Sequence, residues 1–241
     1  MTTDPMRHDL ERYCRELAAV TVAMPFDMLS RAADLLLDCH RRGGNVFILG
    51  NGGSAATASH FACDLAKGTR AEGVPTFRVF PLTDNVPLLT AWANDASYEL
   101  IFAEQLAALV RPGDVVVAIS ASGNSPNVLA AARVARAAGA LTIALSGRDG
   151  GRLRPLADLT ICVPAETMEQ IEDAHSIITH SLCVALRRRL RMRSALPIAE
   201  PTRRETKTRR GRTPVAASRE EPDPLAVWDV NGAEDSPVSD R

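Results

Sequence analysis

Five short apolar segments, separated by longer alanine-rich segments, are the feature that most constrains the fold of this 241-residue chain. Each apolar segment is bounded by Gly, Pro, Asp or Asn, and most of its residues are apolar rather than alternating with polar ones. Strands of this kind are buried on both faces, as in a parallel sheet covered by helices. The predicted strands are Val46–Gly50, Thr76–Phe80, Val115–Ile119, Thr142–Ser146 and Leu159–Val163.

The segments between the apolar runs have the periodicity of helices, so strands and helices alternate along the chain. This pattern predicts an α/β protein with a flavodoxin-like, doubly wound, five-stranded parallel sheet in the strand order 2-1-3-4-5. Two helices are predicted before the first strand, and one long helix after the last. The predicted helices are Met6–Ala23, Phe26–Arg41, Ser54–Lys67, Tyr98–Leu109, Ser125–Ala138 and Met168–Arg189.

The composition argues against a membrane or secreted protein. Apolar runs such as Val115–Ile119 are far shorter than the roughly 18 residues of a membrane span, and the first residues are too polar for a secretory signal. The five cysteines are scattered and form no CxxC pair, which disfavours a disulfide framework and a structural zinc knot. We therefore expect reduced thiols and a cytoplasmic location.

A change of composition near residue 194 predicts a domain boundary. Residues 1–193 have the composition of a packed domain, whereas residues 194–241 are rich in Arg, Pro and Thr and then acidic, with few large apolar residues. Such a segment buries too little apolar surface to offset its loss of entropy on folding, so it is predicted to be disordered. The basic residues of 187–219 are interpreted as a solvated tail, and contact with nucleic acid or an acidic partner is the alternative.

Two loops at strand ends have the residues of a phosphate site. The loop Gly50–Ser54 (GNGGS) precedes a helix whose free N–H groups favour an anion. The loop Ser120–Ser125 (SASGNS) also precedes a helix and has three hydroxyl groups around one glycine. The alternative for both loops is an ordinary turn, capped by Ser54 or Ser125. In the predicted strand order the two loops meet at one crevice, where ligands of such sheets bind.

Acidic and histidine side chains follow the first loop and occur again in the last helix. His60 and Asp64 are one helical turn apart, so they share a face and could hold a divalent metal or transfer protons. An exposed polar pair is the alternative. Glu172 and His180 would lie roughly 12 Å apart along an ideal helix, so their spacing does not itself indicate a metal site. His175 is interpreted as a packed, structural residue.

Together these motifs resemble the sugar isomerase (SIS) domain and, within it, the phosphoheptose isomerase family. The resemblance rests on GNGGS, the following HFA beginning at His60, SASGNS, GRDGG and the Glu172–His180 segment, and it spans about residues 29–186. It implies conversion of sedoheptulose 7-phosphate to D-glycero-D-manno-heptose 7-phosphate through an enediol, in a homotetramer with sites at subunit boundaries. Asp64 is then the base and His180 the acid.

The resemblance also implies a zinc ion, held by His60, Asp64, Glu172 and His180. Asp64 and Glu172 replace the family's usual Glu and Gln, and manganese or iron could compete at so oxygen-rich a site. Asn94 and Asp95 stand where the family contacts sugar hydroxyls, with a helix-breaking turn as the alternative. The implied substrate-binding residues are Asn51, Gly52, Gly53, Ser54, Asp64, Asn94, Asp95, Ser120, Ala121, Ser122, Ser125 and Glu172.

Proteins that share this fold without its chemistry provide the alternative function. A non-catalytic SIS adaptor that binds a replication initiator, or a regulator that senses a sugar phosphate, would not need the acid and the base. The presence of Asp64 and His180 favours the enzyme. An isomerase of a different sugar phosphate is the third possibility, because the phosphate loops do not read the sugar.

Overall fold

The computed structural model describes residues 4–194, with side chains described up to residue 192. Five strands lie within these residues: β1 (Asn45–Gly50), β2 (Arg78–Pro81), β3 (Val115–Ile119), β4 (Leu141–Gly147) and β5 (Leu159–Val163). The same residues contain seven α-helices: α1 (Pro5–Val22), α2 (Phe26–Arg41), α3 (Gly53–Cys63), α4 (Val86–Asp95), α5 (Ala103–Leu109), α6 (Pro126–Ala137) and α7 (Met168–Ser194).

The strands form one sheet in the order β2-β1-β3-β4-β5, and every pair is parallel. The predicted fold class and strand order are therefore confirmed. Strands β1 and β3 are neighbours, and Gly50 at the end of β1 pairs with Ile119 at the end of β3. This register places the two predicted phosphate loops side by side at the carboxyl edge of the sheet.

Apolar residues on both faces of the sheet explain why the strands do not alternate with polar residues. Along β1, Val46 and Ile48 belong to a core that also contains residues of α2, α3 and α7. Phe47 and Leu49 point to the opposite face and pack with residues of α5 and α6. Each face of the sheet is covered by helices, as expected for a doubly wound fold.

Some predicted elements differ from the structure in their boundaries. Strand β2 begins two residues later than predicted, because its ladder with β1 starts at Arg78 opposite Asn45. The predicted helix Tyr98–Leu109 is divided into a 3-10 turn and α5. Helix α7 reaches Ser194, beyond the predicted end, and buried Leu190 extends its packed face.

Helix α4 was not predicted, and it contains the predicted sugar contacts at its C-terminal end. The side chain of Asn85 accepts a hydrogen bond from the backbone N–H of Leu88, and a proline follows in the first turn, so the helix has an ordinary beginning. None of its residues is fully buried. Its residues Leu89, Trp92 and Ala93 are partly buried and pack against the same core as α5 and α6.

The predicted disordered tail lies outside the described residues, except that Ser194 ends α7. The domain boundary at residues 193 and 194 thus stays a prediction. Across residues 4–194, no helix has the combination of length and apolar character needed to cross a membrane.

Candidate active site

The loop between β1 and α3 brings the backbone of α3 to the edge of the sheet. Gly52 occupies the N-cap position of α3. Its positive φ of 53° is a backbone conformation that residues with a side chain rarely adopt. Ser54 is buried and lies inside the first turn of α3, so it is not the cap. The first N–H groups of α3 therefore have no side-chain cap.

The serine loop after β3 is held in place by its neighbours. Ser120 is buried, and its hydroxyl group lies 3.2 Å from that of Ser125. Its backbone carbonyl accepts a hydrogen bond from the Ser146 hydroxyl at the end of β4. Ser122 is exposed, and its Oγ accepts from the N–H of Asn124. Ser125 takes the N-cap position of α6 but makes no side-chain cap.

The serine loop also interlocks with the GRDGG segment that follows β4. Gly123 has a positive φ of 64°, and a Cβ atom there would collide with the carbonyl of Gly150. The carbonyl of Gly123 accepts a hydrogen bond from the N–H of Leu153 at 2.9 Å. Backbone contacts of this kind fix the positions of the loop's hydroxyl groups before any ligand arrives.

A second group of functional side chains lies where α3 packs beside α7. His60 and Asp64 come from α3 and the turn that follows it, and His180 comes from α7. The His60 Nε2 atom is 3.3 Å from His180 Nε2 and 3.7 Å from Asp64 Oδ2, and His180 Nε2 is 3.6 Å from the same Asp64 oxygen. The structure thus brings together three of the four predicted metal ligands.

The triangle formed by these three atoms has the dimensions of a zinc site. Nitrogen and oxygen ligands about 2.0–2.2 Å from a tetrahedral zinc ion lie about 3.3–3.6 Å from one another. The imidazole rings are more than half exposed, and the Asp64 side chain is 29% exposed. Three protein ligands with an open side are typical of a catalytic metal site rather than a structural one.

Asp64 is positioned by an irregularity in the helix. The α-helical hydrogen bonds of α3 end at Cys63, and Asp64–Gly68 forms a π-helical turn. Buried Phe61 and Leu65 anchor this region on the core side, so Asp64 is directed away from the core. Single π turns often occur at functional sites.

The carboxylate of Glu172, the fourth predicted ligand, lies against the glycine loop instead of in this group. A Cβ atom placed on Gly53 would come within 2.5 Å of Glu172 Oε2 and 2.9 Å of its Cδ, so glycine at position 53 makes room for the carboxylate. Gly53 is the first residue of α3, where the helix dipole favours a negative charge. A negative side chain of the protein therefore lies at one of the two predicted anion sites.

The predicted sugar contacts Asn94 and Asp95 form the C-terminal end of α4. The Asn94 amide donates to Asp95 Oδ1 at 2.8 Å, and both residues are exposed. Helix α4 ends at Asp95, in agreement with the helix-breaking alternative. Their side chains are therefore accessible to a ligand, and no element of the fold requires them to be polar.

The sequence of this chain is similar to those of known proteins. The chain matches the SIS domain family over residues 11–147. It is 42% identical over 168 residues to the phosphoheptose isomerase of Paramagnetospirillum magneticum, an alignment that covers 70% of this chain and 87% of that protein. The phosphoheptose isomerase of Thiobacillus denitrificans is 43% identical over 161 residues, covering 66% and 81%. This chain belongs to the phosphoheptose isomerase family.

Solved structures of this family have the same fold. Phosphoheptose isomerase from Neisseria gonorrhoeae superimposes with a TM-score of 0.70 at 32% identity, covering 75% of this chain and 98% of the other. The enzyme from Francisella tularensis gives 0.72 at 30% identity, covering 77% and 100%. The family named from the motifs is thus confirmed, and the match spans almost the whole of both solved chains.

The structure places two further polar residues between the two loops of this phosphoheptose isomerase family member. The sequence motifs assign no role to either of them. Asn127, at the start of α6, and Tyr98, before α5, both hydrogen-bond to the side chain of Asn51. Asn127 lies two residues beyond the serine loop, and a buried asparagine after a cap has no sequence signature of its own. Tyr98 lies within a predicted helix, where the sequence does not distinguish it from other helical residues.

Proposed function

We propose that this protein is an aldose–ketose isomerase that converts sedoheptulose 7-phosphate to D-glycero-D-manno-heptose 7-phosphate. Family membership supports the reaction class. The observation that carries the proposal is the group of His60, Asp64 and His180, whose ligand atoms all lie within 4.8 Å of one another. The carboxylate and the two imidazoles of this group would supply the base, the acid and the metal ligands that the reaction needs.

The two loops would receive different ends of the substrate. The serine loop presents hydroxyl and N–H donors with no acidic side chain among its residues, which suits a phosphate monoester. The glycine loop already has the Glu172 carboxylate against it, which disfavours a second anion there and suits sugar hydroxyl groups. The proposed substrate contacts are Asn51, Gly52, Gly53, Ser54, Asn94, Asp95, Ser120, Ala121, Ser122, Ser125 and Glu172.

The proton transfers are assigned to Asp64 and His180. Asp64 would remove a proton from C1 of the ketose and return it to C2. His180 would give a proton to the oxygen on C2 and take one from the oxygen on C1, so the enediol converts to the aldose with all atoms conserved. Zinc would be held by His60, by one oxygen of Asp64 and by one ring nitrogen of His180, and when bound it would polarise the sugar oxygens as a Lewis acid. The second oxygen of Asp64 and the other ring nitrogen of His180 would then carry the proton transfers.

Subunit assembly is proposed from the exposed apolar surface near this group. A cavity of about 850 Å³ runs along α7 from His180 to Met192. Val184 and Met192 line this cavity. Exposed apolar side chains occur on both α1 and α7: Met6, Leu10, Val22, Val184 and Met192. We propose that residues 1–193 act as the isomerase domain and form a homotetramer in the cytoplasm, with the sites at the subunit boundaries.

A direct assay tests the proposal. Purified protein is incubated with sedoheptulose 7-phosphate, with and without a chelator, and the product is followed by chromatography. We expect heptose 7-phosphate, loss of its formation after chelation, and recovery with added zinc. If no isomerisation occurs with zinc, manganese or iron, the proposal fails and a non-catalytic adaptor or sensor becomes the better interpretation.

A further inference from the structure

A reciprocal pair of side-chain amides joins the glycine loop to the helix that follows the serine loop. Asn51 Nδ2 donates to Asn127 Oδ1 at 2.8 Å, and Asn127 Nδ2 donates to Asn51 Oδ1 at 2.9 Å. Asn127 is only 1% exposed. The pair therefore spans 76 residues of sequence and places two hydrogen bonds in a partly buried position, where each is stronger than in water.

The orientation of both amides is determined by a single backbone group. The N–H of Val128 can only donate, and it lies 3.0 Å from Asn127 Oδ1. This oxygen must therefore be the acceptor, so the facing nitrogen of Asn51 donates to it and the oxygen of Asn51 receives the second bond. The Tyr98 hydroxyl then donates to Asn51 Oδ1 at 3.1 Å. Both amide oxygens thus have two donors each.

This pair lies between the parts of the site that would hold opposite ends of the substrate. Asn127 is in the first turn of α6, directly after the serine loop. Asn51 is in the glycine loop, directly before α3, which carries His60 and leads to Asp64. A substrate bound at both places is aligned only if the two loops keep a constant separation, because small misplacements of reacting groups are costly in rate.

We propose that Asn127 is a positioning residue that keeps the phosphate-binding loop in register with the helix that carries the acid–base group. The proposal rests on the proposed function, because it assigns the phosphate to one loop and the sugar to the other. Asn127 does not itself need to touch the substrate. Asn127 acts through its two hydrogen bonds to Asn51, which lies just before α3. The Tyr98 hydroxyl is the second donor to Asn51 Oδ1.

The test compares a ligand that needs only the serine loop with one that needs both loops. Wild type and Asn127→Ala are titrated by calorimetry with inorganic phosphate and with a seven-carbon sugar-alcohol phosphate, which has no carbonyl and cannot be isomerised. For the variant we expect a phosphate Kd within about twofold of wild type and a sugar-alcohol phosphate Kd raised by roughly tenfold, the size of one lost hydrogen bond. With sedoheptulose 7-phosphate, kcat should fall more than KM rises.

Two further variants separate positioning from simple loss of stability. Asn51→Ala breaks the same pair from the other loop and also removes a proposed substrate contact, so the double variant should lose little more affinity than Asn51→Ala alone. Asn45→Ala is the matched control, because Asn45 also links strands by side-chain hydrogen bonds, but at the opposite edge of the sheet. It should lower the Tm without changing either Kd. Asn127→Ser replaces Asn127→Ala if the alanine variant does not fold.

The outcomes distinguish this proposal from the proposed function. Equal weakening of both ligands, unchanged binding of both, or additive losses in the double variant would overturn the positioning role while leaving the isomerase in place. A wild-type protein that binds neither ligand would overturn the proposed function, and the positioning role with it.

Discussion

The serine loop and the proposed metal-ligating group, which consists of His60, Asp64 and His180, are built in different ways. The serine loop is a local structure, in which buried Ser120 and the backbone contacts of Gly123 set the positions of the hydroxyl groups. The metal-ligating group joins His60 to His180 across 120 residues, and the imidazoles of both are more than half exposed. One end of the site is rigid backbone, and the other consists of side chains on two packed helices.

The difference indicates how each end tolerates change. At the serine loop, the backbone would supply part of the proposed binding, so removal of one hydroxyl group should have a limited effect. At the metal-ligating group, each side chain would supply a separate chemical function under the proposal, so its removal should have a large effect. The following experiments test this contrast, from the largest expected effect to the smallest.

Asp64→Asn is expected to have the largest effect. It keeps the size of the side chain and its hydrogen-bonding capacity but removes the basicity, so kcat should fall by about 10²–10⁴-fold. KM for sedoheptulose 7-phosphate should change much less, because the phosphate end is intact. Steady-state kinetics of the zinc-loaded enzyme provide the measurement.

Asp64→Glu is the matched variant, because it restores the family's usual residue and adds one methylene. It should retain turnover, or increase it if the reach of the aspartate is limiting. A wild-type rate for Asp64→Asn would show that Asp64 is not the base, and the two ends of the site would then differ less than proposed.

His175 tests the buried side of the helix that carries His180. It is 1% exposed, neither ring nitrogen hydrogen-bonds to a described residue, and burial lowers its pKa from 6.5 to about 4 despite an opposing effect of the Ser146 backbone. Between these pH values the unfolded chain binds a proton that the folded chain does not. The free energy of unfolding should therefore fall by up to about 3 kcal/mol as the pH decreases from 6.5 to 4.

Urea unfolding of His175→Leu at several pH values measures this contribution. The variant should lose that part of the pH dependence, whereas His8→Leu, a substitution of an exposed histidine on α1, should retain it. If wild type and His175→Leu have parallel pH profiles, His175 is not held neutral by burial, and α7 is packed less tightly at this point than the structure indicates.

Ser122→Ala is expected to have the smallest effect. The variant loses one exposed hydroxyl group, while the backbone of the loop stays in place through its contacts with the segment after β4. Binding of inorganic phosphate should weaken by roughly 0.5–3 kcal/mol, and kcat should stay close to that of wild type. Calorimetry measures the first quantity. Unchanged phosphate affinity would argue against the serine loop as the phosphate site.

The sequence predicted the elements of the fold better than it predicted their limits. The strands were found because both faces of the covered sheet carry apolar residues, such as Ile48 on one face and Leu49 on the other. Helix α4 was missed because apolar residues also occur on its exposed side, such as Val86 and Leu88, and they obscure the helical spacing of its core-facing residues. The π turn at Asp64 was missed because its hydrogen bonds depend on packing, not on residue type.

For the site, the sequence by itself predicted which residues carry chemistry, and it determined which loops end the strands. Glycines, serines and a proline after a strand prescribe a backbone turn within a few residues, and the parallel order brings two such turns together. The resemblance implied that His180 joins His60 and Asp64, and the structure gives their separations of 3.3 and 3.6 Å. Only the tertiary structure decided that Glu172 lies on Gly53 and that Asn127 pairs with Asn51. These contacts link residues far apart in the chain, and their distances depend on how α3, α6 and α7 pack on the sheet. The local sequence does not specify such distances, because the packing of these helices depends on the residues of the whole core.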